Sequence, residues 1–362
     1  MKCLVMDHSQ ALSGLPWLHR DVLDHVFEHG PLDMTLTNAA VVCKQWTAPA
    51  QAALYRDISF FPLENRPRDT LLARTMRTCP HLRCYVHRLS LITLWTHTPT
   101  PERCDWISHL PAHCLREFHW TWIRGHIFPS IISSPAIRTV TQIRLCGRIY
   151  TTDKLQPILE LPCLESLSLE LTGHEVGDIQ PLGVTRIKHL EVYLLVEYGP
   201  VVGKLLSVVG PQLESLHVSR KVCFDSDKDQ ELVSAIEAHC RDLTRLAITA
   251  PFKTECPLPI VDRLAHRFHS LTHLCCSEGT YTANLFDALL PNLATLELST
   301  DSPSLSFEAP LLRYLTLVRL GQRRLTTLVV TTKEGGRLTC FADACIAGGV
   351  ILREGVDGYR AG

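Results

Sequence analysis

Histidine and cysteine are the residue types here that could do chemistry, with 18 and 15 copies in a chain of 362 residues. Both ligate metals, and both serve proton transfer or nucleophilic attack, so their spacing decides what they can do. His25 and His29 stand four apart, as do His109 and His113, but neither pair lies in a His-Glu-x-x-His motif. Cys79 and Cys84 are five apart, as are Cys340 and Cys345, and no Cys-x-x-Cys occurs. No metal site or cofactor is therefore expected. Gly-x-Ser-x-Gly, Gly-x-Gly-x-x-Gly and Gly-x-x-x-x-Gly-Lys are all missing from the sequence. A chain without these signatures is expected to bind rather than catalyse.

The elements that would position a binding surface come from one recurring string, apolar-x-x-apolar-x-apolar. It runs from Val86-Leu89-Leu91, Leu115-Phe118-Trp120, Val140-Ile143-Leu145 and Leu164-Leu167-Leu169 to Ile187-Leu190-Val192, Leu213-Leu216-Val218 and Leu243-Leu246-Ile248. Leu271-Leu274-Cys276, Leu293-Leu296-Leu298 and Leu312-Leu315-Leu317 complete it, with starts 19 to 30 residues apart. Apolar residues at every second position predict a strand. Helical stretches such as 229–240, 259–268 and 284–290 lie between. A further string, Leu325-Leu328-Val330, follows after only 13 residues. A doubly wound α/β domain also alternates strand and helix. Its strands, covered on both faces, would read as continuous apolar runs rather than alternate.

A strand–turn–helix period of this length resembles the leucine-rich repeat in an irregular form. The Asn that follows the strand in that family has no counterpart here, so the turns must be satisfied in other ways. The resemblance implies an α/β solenoid with a parallel sheet on its concave face. Residues between the core positions would face outward there. Those expected to touch a partner are His119, Arg144, His189, Tyr193, His217, Arg245 and Tyr314, in a strip that also carries Glu117, Glu191 and Glu297. Tyr and Arg are favoured at binding hot spots. By strand parity Phe118, Trp120 and Trp122 should point inward as core.

The start of the chain reads differently. Val22, Leu23, Val26 and Phe27 form one apolar helical stripe, stopped by Gly30-Pro31. A second helix is expected over 37–46 and a third over 49–55, opening on Pro49. Three such short helices make too small a core to stand alone. Leu18-His19-Arg20-Asp21-Val22-Leu23, Val26-Phe27 and Val42-Cys43-Lys44-Gln45-Trp46 together resemble the F-box. That module docks substrate adaptors onto the Skp-family linker of cullin-RING ubiquitin ligases. The resemblance implies that Leu18, Val22, Leu23, Val26, Phe27, Val42, Cys43 and Trp46 carry folding and linker docking. It departs from the family at His19, where Pro is usual, and at Gly30, where Leu is usual. Both changes weaken the partner-facing front.

The expected layout is a helical module at 13–60, a connecting helix or linker at 61–84, repeats at 85–330 and a cap or loose tail at 331–362. A net charge of −1, from 36 basic and 37 acidic residues, offers no field for nucleic acid or anionic lipid. No membrane span and no secretory signal are read, so the chain is expected in the cytoplasm or nucleus with reduced thiols. Two functions fit. One is a ubiquitin-ligase adaptor, with a Skp-family linker, a cullin scaffold and an unknown protein target as partners. The other is a repeat scaffold whose F-box-like segment is only an N-terminal cap.

Overall fold

The computed structural model describes residues 37–39, 41, 44–62, 66–93, 101–121, 128–147, 152–171, 179, 185–195, 201–220, 226–250, 259–288, 291–300, 307–332 and 339–356. Twelve strands form one sheet in which each pairs in parallel with its neighbours in sequence. They are β1 (Asp57–Phe60), β2 (Arg88–Ile92), β3 (Glu117–Thr121), β4 (Gln142–Cys146), β5 (Ser166–Leu171) and β6 (His189–Leu194). The sheet continues through β7 (Ser215–Arg220), β8 (Arg245–Thr249), β9 (His273–Ser277), β10 (Thr295–Thr300), β11 (Thr327–Thr332) and β12 (Ile351–Val356).

Every string from Val86 to Leu298 delivers its strand in a common register. Pairing aligns Leu89, Phe118, Ile143 and Leu167 in one row and Leu91, Trp120, Leu145 and Leu169 in the next. Both rows are buried from β1 to β11, as is the row opened by Val86, Leu115 and Val140. A slip of one residue would turn each row to the other face, so burial fixes the register. Strictly sequential parallel pairing, with helices in most of the crossovers among the described residues, is the architecture of a leucine-rich-repeat solenoid.

The helices are α1 (Lys44–Arg56), α2 (Pro67–Thr78), α3 (Pro101–Ser108), α4 (Phe128–Ile132), α5 (Pro135–Arg138) and α6 (Thr152–Leu159). After them come α7 (Val201–Val209), α8 (Ser226–His239), α9 (Ile260–Arg267), α10 (Asn284–Ala288), α11 (Glu308–Arg319) and α12 (Thr339–Gly348). From α7 to α12 each packs on the next. Small residues set the closest approach. An added Cβ on Gly210, just past α7, would lie 2.9 Å from the His239 carbonyl oxygen at the end of α8. Trp106 of α3 meets Phe60 edge to face at 5.5 Å, and Phe118 lies 5.8 Å from Trp120. Phe118 and Trp120 are core, as their parity requires; Trp122 lies outside the described residues.

The missing Asn is replaced by a backbone relay. Before each of β4 to β11, two successive N–H groups donate to one carbonyl of the preceding repeat, for example Glu165 and Ser166 to Thr141. The hydroxyls of Thr141, Thr244, Thr272 and Thr326 reinforce it. At the far ends of the strands, side chains do the work. Glu170 accepts from the Gly147 N–H at 2.9 Å, and Ser277 Oγ accepts from the Ala250 N–H at 2.7 Å.

Three expectations change. The Leu312-Leu315-Leu317 string is helix, not strand. Leu311, Tyr314, Leu315 and Val318 are its buried residues, a 3.6-residue stripe inside α11. The strand of that repeat is β11, from the string at Leu325. Second, Pro49 opens no new helix but lies inside α1. Third, the sheet extends beyond 85–330 at both ends, to Asp57 and to Val356. Within the Gly-rich tail, the described residues 339–356 form a further helix and strand of the array. Gly349 adopts φ +69 after α12. Its N–H bonds to Ile346 and that of Val350 to Cys345, closing a Schellman turn. Gly321 ends α11 in the same way, with its own N–H on Val318 and that of Gln322 on Leu317.

Strand β12 forms one edge of the described sheet. Its Glu354 pairs with the buried Val330 yet is itself exposed. A charge in a core row discourages addition of another strand.

Candidate functional site on the open face of the sheet

The residues between the buried rows form the open face. Six of the seven expected partner-contacting residues are on it: His119, Arg144, His189, Tyr193, His217 and Arg245. Tyr314 is not. It is buried in α11 with its hydroxyl unpartnered among the described residues, and so belongs to the core.

One row of the face runs Ser90, His119, Arg144, Ser168, Glu191 and His217, each the register partner of the next. The neighbouring row holds Tyr193, Ser219 and Thr249. The two rows meet in a hydrogen-bonded cluster. His217 Nδ1 lies 3.0 Å from Glu191 Oε1, and the Tyr193 hydroxyl donates to the same oxygen at 2.6 Å. Thr249 Oγ1 is 3.4 Å from His217 Nε2. The Arg144 guanidinium sits over the Tyr193 ring, 5.8 Å from its centroid, within cation–π range.

Electrostatics follow from this packing. Burial alone would raise the Glu191 pKa, but hydrogen bonds from His217 and Tyr193 outweigh it and bring it down to about 2. Burial pushes the Tyr193 phenol up, and its bond to Glu191 adds to that. Burial and the nearby Arg144 charge lower the His119 pKa, which favours the neutral imidazole. Toward the start of the sheet, Arg88 grips Glu117 through two nitrogens, at 2.5 and 3.1 Å, and lies 3.4 Å from Asp57. Toward the other end, His273 Nε2 is 3.2 Å from Glu297 Oε1.

Thr249, His217 and Glu191 thus form a hydroxyl–imidazole–carboxylate chain. Such a chain fixes the tautomer and orientation of the imidazole. Acyl transfer would also need donors aimed at a developing oxyanion. Strands β6, β7 and β8 direct their backbone N–H groups along the sheet, into their neighbours. The face offers side-chain donors and acceptors in a rigid array, which suits recognition. Sequence parity located Glu191, Tyr193 and His217. It missed Thr249, Glu170 and Cys146, which lies beside Arg144, because the core string ends before the strand does.

Of the F-box-like residues, Leu18, Val22, Leu23, Val26, Phe27, Val42 and Cys43 lie outside the described residues. Trp46 is half-buried and packs with Ala53 and Leu54 against Ala39 and Ala50. Helix α1, which carries it, packs on the short 3₁₀ helix Pro80–Tyr85 and runs directly into β1. Among the described residues no group of histidine, cysteine or carboxylate side chains could hold a metal ion, and no helix is long and apolar enough to cross a membrane.

No family model matches this sequence, and no curated protein matches it. Among solved structures, the leucine-rich repeat-containing protein LegL7 from Legionella pneumophila is similar over 74% of this chain and 90% of its own, at 14% identity and a TM-score of 0.41. The repeat architecture of this chain rests on its own strand order and register.

Proposed function

We propose that the chain is a non-catalytic substrate adaptor of a cullin-RING ubiquitin ligase. The N-terminal module docks a Skp-family linker, and the open face of the repeats holds a protein target. The observation that carries this reading is the Val42-Cys43-Lys44-Gln45-Trp46 motif, whose described residues from Lys44 open a helix that runs directly into β1. Fusing a docking helix to a binding face would hold a target near the ligase and raise its effective concentration there. The polar, preorganised face with Arg and Tyr suits a protein partner. Its twelve strands extend on the order of 50 Å at the usual strand spacing.

The second reading is a repeat scaffold with a non-docking cap. Trp46 favours it to this extent: the ring already packs on the small apolar residues of its own module. A pull-down of purified linker–cullin by the full chain separates the two. Retention that Trp46→Ala abolishes supports the adaptor. Failure of the wild-type chain to retain the linker leaves the scaffold.

A further inference from the structure

Four arginines of the open face differ in what holds them; Arg353, on the edge strand β12, is exposed. Arg88 is spent on Glu117 and Asp57. Arg245 is exposed at the first position of β8. Arg144 is half-buried, has no carboxylate within ion-pair distance among the described residues, and its Nε has no hydrogen-bond partner there. Glu191 acts on it only from two strands away, and Cys146 lies beside it. A guanidinium taken partly out of water without a close counter-charge costs free energy that a bound anion would recover.

We propose that Arg144, with its face on Tyr193 and with His119 beside it in register, receives a carboxylate of the bound protein: an Asp or Glu side chain or a chain terminus. This deepens the adaptor reading and rests on the open face being the target surface.

The geometry favours a carboxylate in two ways. Stacking on Tyr193 occupies the flat side of the guanidinium. The in-plane N–H groups of a guanidinium match a carboxylate with two parallel bonds. His119 adjoins Arg144 across the strand pair, and a neutral imidazole adds a donor without adding charge. The second reason is charge. One guanidinium faces the ligand, while Glu191 two strands away is ionised. A single negative charge is neutralised by Arg144. A phosphate dianion would leave an excess beside Glu191.

The test uses the full chain with ¹³Cε1-labelled histidine, the His119 resonance being assigned with His119→Gln. The probes are sodium acetate, acetyl-Gly-Glu-Gly-amide, its Gln counterpart and inorganic phosphate, at constant ionic strength and pH 7. Acetate and the Glu peptide should shift the His119 signal saturably. The Gln peptide should not. Arg144→Gln should weaken the response at least tenfold, with Arg144→Lys between. No saturable shift, a response unchanged in Arg144→Gln, or tighter binding of phosphate would each overturn the proposal. The titration needs no target protein. Failure to retain linker or target in a pull-down would therefore count against the adaptor reading and leave this site standing, and the reverse holds too.

Discussion

His217 Nδ1 lies 3.0 Å from Glu191 Oε1, joining β6 and β7 across the open face. Tyr193 donates to that same oxygen, and Thr249 meets the other side of the imidazole. The middle of the face is therefore set by bonds within the chain before any partner arrives. Preorganisation of this kind reduces the ordering cost of binding.

Acid should loosen this cluster in a definite window. The Glu191 pKa is depressed from the ordinary 4.5 to about 2. A depressed carboxylate contributes stability that is full above its ordinary value and is lost as pH falls through the folded one. Urea midpoints of the wild type and Glu191→Gln should differ most at pH 6 and converge as pH falls from about 4.5 toward 2. A gap that does not change with pH would assign the difference to packing instead.

Trp46→Ala should remove linker binding and leave the repeats folded. The ring packs with Ala53 and Leu54 against Ala39 and Ala50, apart from the main core of the sheet. Circular dichroism should show an unchanged main unfolding transition while retention of linker–cullin is lost. A variant that still binds would break the link between this motif and docking.

The buried pair of Arg220 on β7 and Asp229 on α8 should be costly to halve. Both side chains are fully buried and bonded to each other. Burial holds the Asp229 carboxyl above its ordinary range against the pull of Arg220. Asp229→Ala strands a buried guanidinium and should cost about 3–5 kcal/mol in urea unfolding. Replacing both together, Arg220→Met with Asp229→Leu, should cost far less. Equal losses for the two variants would show that shape rather than charge matters there.

Two glycines near the packed pair α7 and α8 should respond in opposite directions. At Gly210 a Cβ would meet the His239 carbonyl oxygen at 2.9 Å, so Gly210→Ala should cost about 1–3 kcal/mol. At Gly203, inside α7, a Cβ would find Ala235 Cβ at 3.8 Å, an ordinary contact. Gly203→Ala should gain about 0.5–1 kcal/mol from helix preference. Thermal unfolding of the two variants checks the contrast.

Local chemistry decided a good deal of this molecule. Strand alternation depends only on the next few residues, so the strings from Val86 to Leu298 determined both the strands and their inward faces. The same parity put His119, Arg144, Glu191, Tyr193 and His217 on the open face. The local signal failed where two periods overlap. Leu312, Leu315 and Leu317 fit the strand string, but the stripe through Leu311, Tyr314, Leu315 and Val318 is helical, and burial chose it. The tail was illegible for a related reason: Gly349 has meaning only as the left-handed end of a helix, and that helix is held by packing against α11. Tertiary structure alone decided which side chains meet. His217 and Glu191 are 26 residues apart in sequence. Their contact exists because crossovers of unequal length return each strand to the same register, and burial of two apolar rows imposes that register on all of them.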